Sequence, residues 1–167
     1  MPTLVATAGN ASANSYITVA EADTYFDERL NVSSWTSAGT DDKERALIAA
    51  TRRIDQEQYE GEKVASGQSL KWPRYFATDE DGNEYATDAI PTLVEHATCE
   101  LALKLLNDGA VDPLMDTGLE EFKSANVGPM AIERDLSFRA GQLPANVKRI
   151  LRPVITTANN SVRMERA

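Results

Sequence analysis

The sequence predicts a mainly α protein: a small helical bundle with a β-hairpin insertion and extended N- and C-terminal arms. In four segments the apolar residues recur at helical spacing behind a capping residue or a proline. A later segment alternates apolar and polar residues, as hairpin strands do. The 167 residues suffice for one core without a metal or a disulfide. We expect an N-terminal arm at 1–15, a helical domain at 16–155 with the hairpin at about 119–136, and a C-terminal tail at 156–167.

The first helix should follow the N-terminal arm directly. Residues 1–15 are small and polar, which is typical of an extended or poorly ordered segment. Thr18 then precedes Glu21 by three residues, the spacing of a capping box. We expect one face of this helix to enter the core, with Ala22, Tyr25, Phe26 and Leu30 on it.

A second helix is expected after a turn-rich break at 31–39, which contains Trp35. Thr40 is the predicted N-cap of this helix. Two acidic residues in the first turn, Asp41 and Asp42, favour the positive end of the helix dipole. The predicted buried stripe is Ala46, Leu47, Ala50 and Ile54.

A long irregular connection, about 59–88, contains a loop with an unusual composition. The segment Gln68–Arg74 sets Trp72 and Pro73 among polar residues and glycines. A tryptophan is costly to leave in water, and a proline holds the residue before it extended, so the loop must dock. We favour an anchor inside one subunit over an anchor at a subunit interface. Long irregular connections are often functional, so the candidate interface residues are Trp72, Pro73, Arg74 and Tyr75.

A third helix is predicted behind Pro91, which fits the first turn because its missing N–H is not needed there. Its apolar residues cover much of the circumference and include Leu103 and Leu106 beside the main stripe. Such a helix is usually central. The helix should end near Asp108, and its main stripe is Val94, Ala97, Leu101 and Leu105.

The last elements are a hairpin and a short helix. Alternating residues at 122–135, interrupted by Val127–Met130, predict a β-hairpin that packs on the bundle or pairs with a neighbouring subunit, since an isolated hairpin is marginal in water. Pro144 should open a helix that continues through Val147, Ile150 and Leu151 until Pro153 ends it.

Charge is divided unequally along the chain. The net charge is −9, but residues 145–167 carry five basic residues against Glu165, which leaves +4 there and −13 elsewhere. An acidic body repels nucleic-acid phosphate, whereas a short basic segment can bind an acidic protein surface or a phosphate backbone. The alternative is that both features only maintain solubility. The basic residues are Lys148, Arg149, Arg152, Arg163 and Arg166.

No residue is proposed as catalytic, and no metal or cofactor is expected. His96 and Cys99 lie three residues apart, but a histidine at the surface beside a small core cysteine is more common than a nucleophilic pair, and two such ligands do not make a zinc site. The acidic turn at 79–84 lacks the spacing of a calcium loop, and no glycine-rich phosphate loop is present. We also expect no membrane partner, because no run is long enough to cross a bilayer, and expect synthesis in the cytoplasm, since the start does not read as a signal peptide.

The ordered set of motifs resembles a tailed-bacteriophage family of head-to-tail adaptor proteins, which often carries the label "putative DnaT-like single-stranded-DNA-binding protein". The resemblance covers about 14–155. It is carried by Asn14–Val19 before Ala22–Tyr25, by Ala46–Ile48 and Ala50–Asp55, by Gln68, Leu70 and Trp72–Arg74, by Ile90–Pro91, by Ala97 and Cys99–Ala102, and by Val127–Pro129.

The resemblance implies a connector subunit without catalysis. Such subunits form a ring, commonly of twelve copies, that docks on the portal protein at the head–tail interface of the virion. Packaged double-stranded DNA passes through the ring toward tail or nozzle proteins, without sequence-specific binding. The acidic body would then let DNA slide, and the basic C-terminal residues would clasp the portal or a neighbouring copy.

Two other interpretations remain open from the residues. The protein could be a single-stranded-DNA-binding replication accessory that uses Lys71, Trp72, Arg74, Tyr75 and Phe76 as a stacking platform. It could also be a monomeric regulatory domain.

Overall fold

A computed structural model describes residues 2–108, 124–127, 130–133 and 143–156. Within these residues the fold is mainly helical with a small β-hairpin, which confirms the predicted class. No described helix is long and apolar enough to span a bilayer. The helices are α1 (Val19–Asp27), α2 (Ser33–Thr36), α3 (Thr40–Ile54), α4 (Thr92–Asp108) and α5 (Ala145–Leu151); the strands are β1 (Glu62–Lys63), β2 (Arg74–Tyr75), β3 (Ser124–Val127) and β4 (Met130–Glu133).

Helix α1 begins with the predicted capping box. The Glu21 N–H donates to the Thr18 hydroxyl, and the Thr18 N–H donates to the Glu21 carboxylate at 2.9 Å. Ala22 and Phe26 are buried as expected. The prediction for Leu30 is wrong, because its side chain is 83% exposed. The helix ends at Asp27, so Leu30 lies beyond the last turn and no longer shares the buried face.

The segment predicted as a turn-rich break contains the short helix α2. Trp35 on this helix is buried and its ring nitrogen donates to the Asp23 carboxylate at 2.8 Å. Helix α3 then starts at Thr40 with Gly39 as its N-cap, so the prediction that Thr40 is the cap is off by one residue. No side-chain cap is made there. The four residues of the predicted α3 stripe are all buried.

Helix α4 is the central helix, as predicted. It contacts α1, α2, α3 and α5. Pro91 lies directly before it, and its carbonyl accepts hydrogen bonds from the N–H groups of Val94 and Glu95 at 2.8 and 3.2 Å. The predicted stripe is buried at Val94, Ala97 and Leu101, and Leu105 packs partly buried against the same core.

Strands β3 and β4 pair antiparallel, residues 124–127 against 130–133, in a register that sets Val127 opposite Met130. This confirms the predicted hairpin; the surface on which it packs stays a prediction. Helix α5 follows Pro144 and buries Val147 and Leu151, as expected. Beyond α5, Ile155 forms an antiparallel bridge with Tyr59. Residues 157–167 lie outside the described part of the chain.

The N-terminal segment has no helix or strand over residues 2–15. The Asn14 side chain nevertheless fixes it, since its amide oxygen accepts from the Val5 N–H and its amide nitrogen donates to the Thr3 carbonyl, both at 2.8 Å. Ala13 and Ser15 are buried. The two Asn14 bonds lie within the segment, and the Ser69 N–H, which donates to the Asn10 carbonyl at 3.3 Å, joins the segment to the rest of the subunit.

Candidate functional site

The loop Gln68–Arg74 docks inside the subunit. Trp72 is 1% exposed and makes edge-to-face contacts with Tyr59 and Tyr85, at ring-centroid distances of 5.6 and 5.8 Å. Pro73, joined to Trp72 by a cis peptide bond, is also buried. Trp72 belongs to the same hydrophobic core as the helices. The loop therefore matches the favoured anchor within one subunit.

Arg74 is used to hold the long connection together. Its guanidinium donates to the Glu60 carbonyl at 2.6 Å, to the Lys71 carbonyl at 3.1 Å, and to the carbonyls of Tyr59 and Gly61. Burial lowers the pKa of the Arg74 guanidinium, because the charged form has lost water. A guanidinium has five N–H donors, so four carbonyl partners leave little capacity for a phosphate.

Polar side chains fix the rest of the loop. The Gln68 amide nitrogen donates to the carbonyls of Leu70 and Pro73 at 2.9 and 3.1 Å, and its oxygen accepts from the Ala65 N–H at 3.0 Å. The Ser69 hydroxyl donates to the Ala13 carbonyl and so joins the loop to the N-terminal segment. The loop is therefore a rigid part of the fold.

Asp55 connects this loop to the core. Its carboxylate accepts from the Lys71 N–H at 2.7 Å and from the Tyr16 hydroxyl. Burial, with the Asp55 charge second, raises the pKa of Tyr16 well above its ordinary value. The Lys71 ammonium donates to the Glu57 carbonyl at 2.7 Å. Of the predicted stacking platform, Lys71, Trp72 and Arg74 are thus all committed to contacts within the subunit.

Two aromatic side chains after the loop are exposed, and we call them the aromatic pair. Tyr75 is 42% and Phe76 is 69% exposed, and their ring centroids lie 6.1 Å apart. Phe76 has a φ of +60°, which is rare for a bulky residue. Of the four candidate interface residues, Tyr75 is therefore the one at the surface. The interface prediction overlooked Phe76, which the stacking-platform interpretation had included because of its neighbours.

The sequence around the aromatic pair is acidic. Residues 59–88 contain seven acidic side chains against Lys63, Lys71 and Arg74. In the predicted acidic turn, the Asp79 carboxylate accepts from the N–H groups of Asp81 and Asn83 at 3.0 and 2.8 Å. Hydrogen bonding to Asn83 lowers the pKa of Asp79. In the described residues no group of three or more histidine, cysteine or acidic side chains is placed to hold a metal ion.

A cavity of about 420 Å³ lies between α1 and α4. Its wall includes His96, stacked on Tyr25 at a ring-centroid distance of 4.6 Å, and Glu95, whose pKa is raised by burial and by the charge of Glu21. Behind this wall Glu100 accepts hydrogen bonds from the Tyr25 hydroxyl and from Arg29.

Cys99 is fully buried, as predicted for a small core residue. Burial, followed by the charges of Glu95 and Glu100, raises the pKa of its thiol to about 12. The thiolate, not the thiol, is the nucleophile. Cys99 is therefore not activated for nucleophilic chemistry beside His96.

The basic C-terminal residues are partly described. Lys148 and Arg149 lie in the last turn of α5, Arg152 follows as its C-cap, and all three are exposed. Arg163 and Arg166 lie outside the described residues. The structure thus brings three of the five together on one short helix end.

Comparison with known proteins gives a family match over the whole chain. Residues 1–167 match the family described as "Putative DnaT-like ssDNA binding protein". No curated protein and no solved structure matches the chain.

Proposed function

The chain belongs to the family described as "Putative DnaT-like ssDNA binding protein", and within that family we propose that it acts as a non-catalytic head-to-tail adaptor of a tailed bacteriophage. Copies of the chain form a ring, twelve by the resemblance, that docks on the portal protein. Double-stranded DNA passes through the ring toward the tail proteins. The protein is made in the host cytoplasm and ends up in the virion.

The burial of the aromatic–basic loop is the observation that carries this choice. A stacking platform for single-stranded DNA needs aromatic rings and basic groups at the surface. Trp72 is 1% exposed, and Arg74 donates to backbone carbonyls. The most conspicuous motif of the chain therefore builds a rigid scaffold, which suits a protein that works by fitting to other proteins.

The division of charge supports the same function. An acidic body does not hold DNA phosphates, so a channel lined by it lets the genome slide. The exposed residues Lys148, Arg149 and Arg152 form a compact basic group at the end of α5. Such a group suits an acidic surface on the portal or on a neighbouring copy.

A second candidate is a single-stranded-DNA-binding replication accessory, and the description of the family favours it. Tyr75 and Phe76 are exposed and could stack on bases. Against this, the charge around them is acidic, and phosphate binding needs basic groups.

Oligonucleotide binding and portal binding separate the two candidates. We expect a labelled oligothymidylate to bind feebly at physiological salt in fluorescence anisotropy, and we expect the protein to sediment with purified portal rings and to be present in purified virions. Tight oligonucleotide binding that weakens steeply with salt, without portal binding, would establish the second candidate instead.

Charge reversal tests whether the basic group at the end of α5 contacts the portal. Replacing Lys148, Arg149 and Arg152 by glutamate should weaken portal binding if the basic group forms the clasp. A single charge reversal elsewhere, Arg45→Glu, serves as the control; Arg45 is an exposed basic residue on α3 that pairs with Asp41 and Asp42. Unchanged portal binding by the triple variant would remove the clasp while leaving the adaptor function open to the virion measurement.

A further inference from the structure

The aromatic pair is exposed to water and strained at Phe76, and both features are unfavourable in a free subunit. Tyr75 and Phe76 expose apolar rings, and Phe76 adopts a φ of +60° that costs free energy for a bulky residue. The backbone around them is fixed, because Trp72 and Arg74 are anchored directly before them. Rigid aromatic side chains lose little entropy on binding and are typical anchors of protein interfaces.

The charge around the aromatic pair defines its partner. Glu62 lies opposite Tyr75 in an antiparallel pair, and Glu84 bridges Thr78, two residues after Phe76. Further acidic residues of the connection are exposed, including Glu60, Glu80 and Asp81, against one exposed basic residue, Lys63. A complementary ligand therefore carries apolar side chains together with basic ones, whereas a nucleic acid would be repelled.

The C-terminal segment of this chain has that composition. It contains Val162-Arg163-Met164-Glu165-Arg166. In an extended peptide Val162 and Met164 share one face. Methionine sulfur packs favourably on aromatic rings, and arginine stacks on their faces.

The direction of the chain at Thr156 favours a receptor on another copy over the aromatic pair of the segment's own subunit. Ile155 bridges Tyr59 antiparallel, and the Thr156 N–H donates to the Gln58 carbonyl at 2.9 Å. The chain there runs from Tyr59 toward Gln58 and so away from β1, which begins at Glu62. The following eleven residues, 157–167, span at most roughly 36 Å when extended, enough to reach a neighbour.

We propose that the aromatic pair, together with the exposed acidic residues near it, binds the C-terminal segment 157–167 of a second copy of this chain. The inference rests on the proposed function, because it supplies the contact between copies. Each copy offers a segment and a receptor at different places, so the interface is heterologous and builds rings or open chains.

Phe76→Gly is the variant that tests the receptor. Glycine removes the ring and accepts a positive φ without strain, so the fold is kept; urea unfolding checks this. We expect a fluorescent peptide of residues 157–167 to bind the full-length Arg163→Glu/Arg166→Glu chain, whose own segment no longer competes. Adding Phe76→Gly to that chain should weaken peptide binding about tenfold or more. Leu30→Ala removes another exposed apolar side chain and should leave peptide binding unchanged.

Sedimentation velocity tests whether the C-terminal segment of one copy binds the aromatic pair of another. We expect the wild-type chain to self-associate, and the Phe76→Gly chain and the Arg163→Glu/Arg166→Glu chain each to stay monomeric alone. An equimolar mixture of the two variants should form a heterodimer, because one supplies the segment and the other the receptor. Absence of that heterodimer would show that the segment does not act between copies.

Other outcomes are equally decisive. Peptide binding that survives Phe76→Gly overturns the proposed receptor, and displacement of the peptide by an oligonucleotide assigns the surface to nucleic acid. Self-association that persists in Phe76→Gly, together with portal binding, contradicts this inference but leaves the adaptor function intact. Failure of portal binding with an intact heterodimer contradicts the adaptor function alone.

Discussion

Gly61 determines how the aromatic pair is presented, because a side chain there would collide with the neighbouring strand. Its φ is +74°, and an added Cβ would lie 2.0 Å from the Tyr75 carbonyl oxygen. Two other glycines provide a graded comparison. Gly82 has a φ of +85° but open space around it, whereas Gly67 has open space and no positive φ. The three positions separate backbone strain from a steric clash.

Alanine substitutions at these glycines should destabilise the protein in a fixed order. We expect Gly61→Ala to lower the free energy of unfolding by more than about 2 kcal/mol, Gly82→Ala by about 1 kcal/mol from strain alone, and Gly67→Ala to change it by less than about 1 kcal/mol. Urea unfolding followed by circular dichroism measures all three. A Gly61→Ala variant as stable as Gly82→Ala would mean that Gly61 does not approach the Tyr75 carbonyl closely in solution.

The sequence predicts that Trp72 must dock, but it does not say whether Tyr75 or Phe76, which follow the loop, docks with it. Trp72, Tyr75 and Phe76 lie within five residues, and their burial ranges from complete to slight. The choice depends on Tyr59 and Tyr85, which pack on Trp72 from outside the loop. Contacts between residues distant in sequence leave no local pattern, so the exposure of Phe76 could not be predicted from the sequence.

Glu100 links α4 to α1 and to the residues that follow α1 through one carboxylate. It lies on α4 and accepts from the Tyr25 hydroxyl of α1 and from the Arg29 guanidinium beyond the end of α1, at 2.8 Å each. Burial alone would raise the pKa of Glu100, but these hydrogen bonds hold it below its ordinary value of 4.5. The charged form is therefore the one that stabilises the fold.

Glu100→Gln should destabilise the protein in a pH-dependent way. We expect a loss of about 2 kcal/mol at neutral pH, because Arg29 and Tyr25 lose a charged partner. A lowered pKa contributes stability that is present above 4.5 and is lost as pH falls through the folded-state value. The difference between wild type and variant should therefore shrink below pH 4.5 in urea titrations. A difference that stays constant with pH would exclude this role.

Asp42→Asn serves as the control for Glu100→Gln, since Asp42 pairs with Arg45 at the exposed surface. Exposed pairs contribute little. We expect that variant to lose less than about 1 kcal/mol.

The starts of helices were predicted correctly where a capping box or a proline in the sequence marks them. The Thr18 and Glu21 capping box and the prolines before α4 and α5 define three helix starts. Leu30 was misplaced because periodicity continues past the residue at which the hydrogen bonds stop. Helix α2 was not predicted because it is a single turn. The burial of Glu100 was not predicted either, because the residues around it on α4 are apolar and give no signal for a buried carboxylate.

In the molecule as a whole, the loop and the helices share one core. Trp72 and Tyr59 of the connection, Tyr16 before α1, and Val154 after α5 belong to the same buried cluster as the residues of α3 and α4. A core that joins distant parts of the chain should open in one cooperative step. Cys99 is 0% exposed within that cluster, so chemical labelling of its thiol measures that step.

Thiol labelling of Cys99 should follow global unfolding. The pKa of about 12 keeps the thiol protonated, and burial excludes the reagent. A domain with a stability of at least about 5 kcal/mol exposes such a group rarely, so we expect labelling slower by roughly a thousandfold or more than in the denatured chain. Labelling rates measured across urea concentrations below the unfolding transition should rise with the same denaturant dependence as the unfolding constant. Rapid labelling that does not depend on urea would show that α4 opens locally, and the core would then consist of separate units.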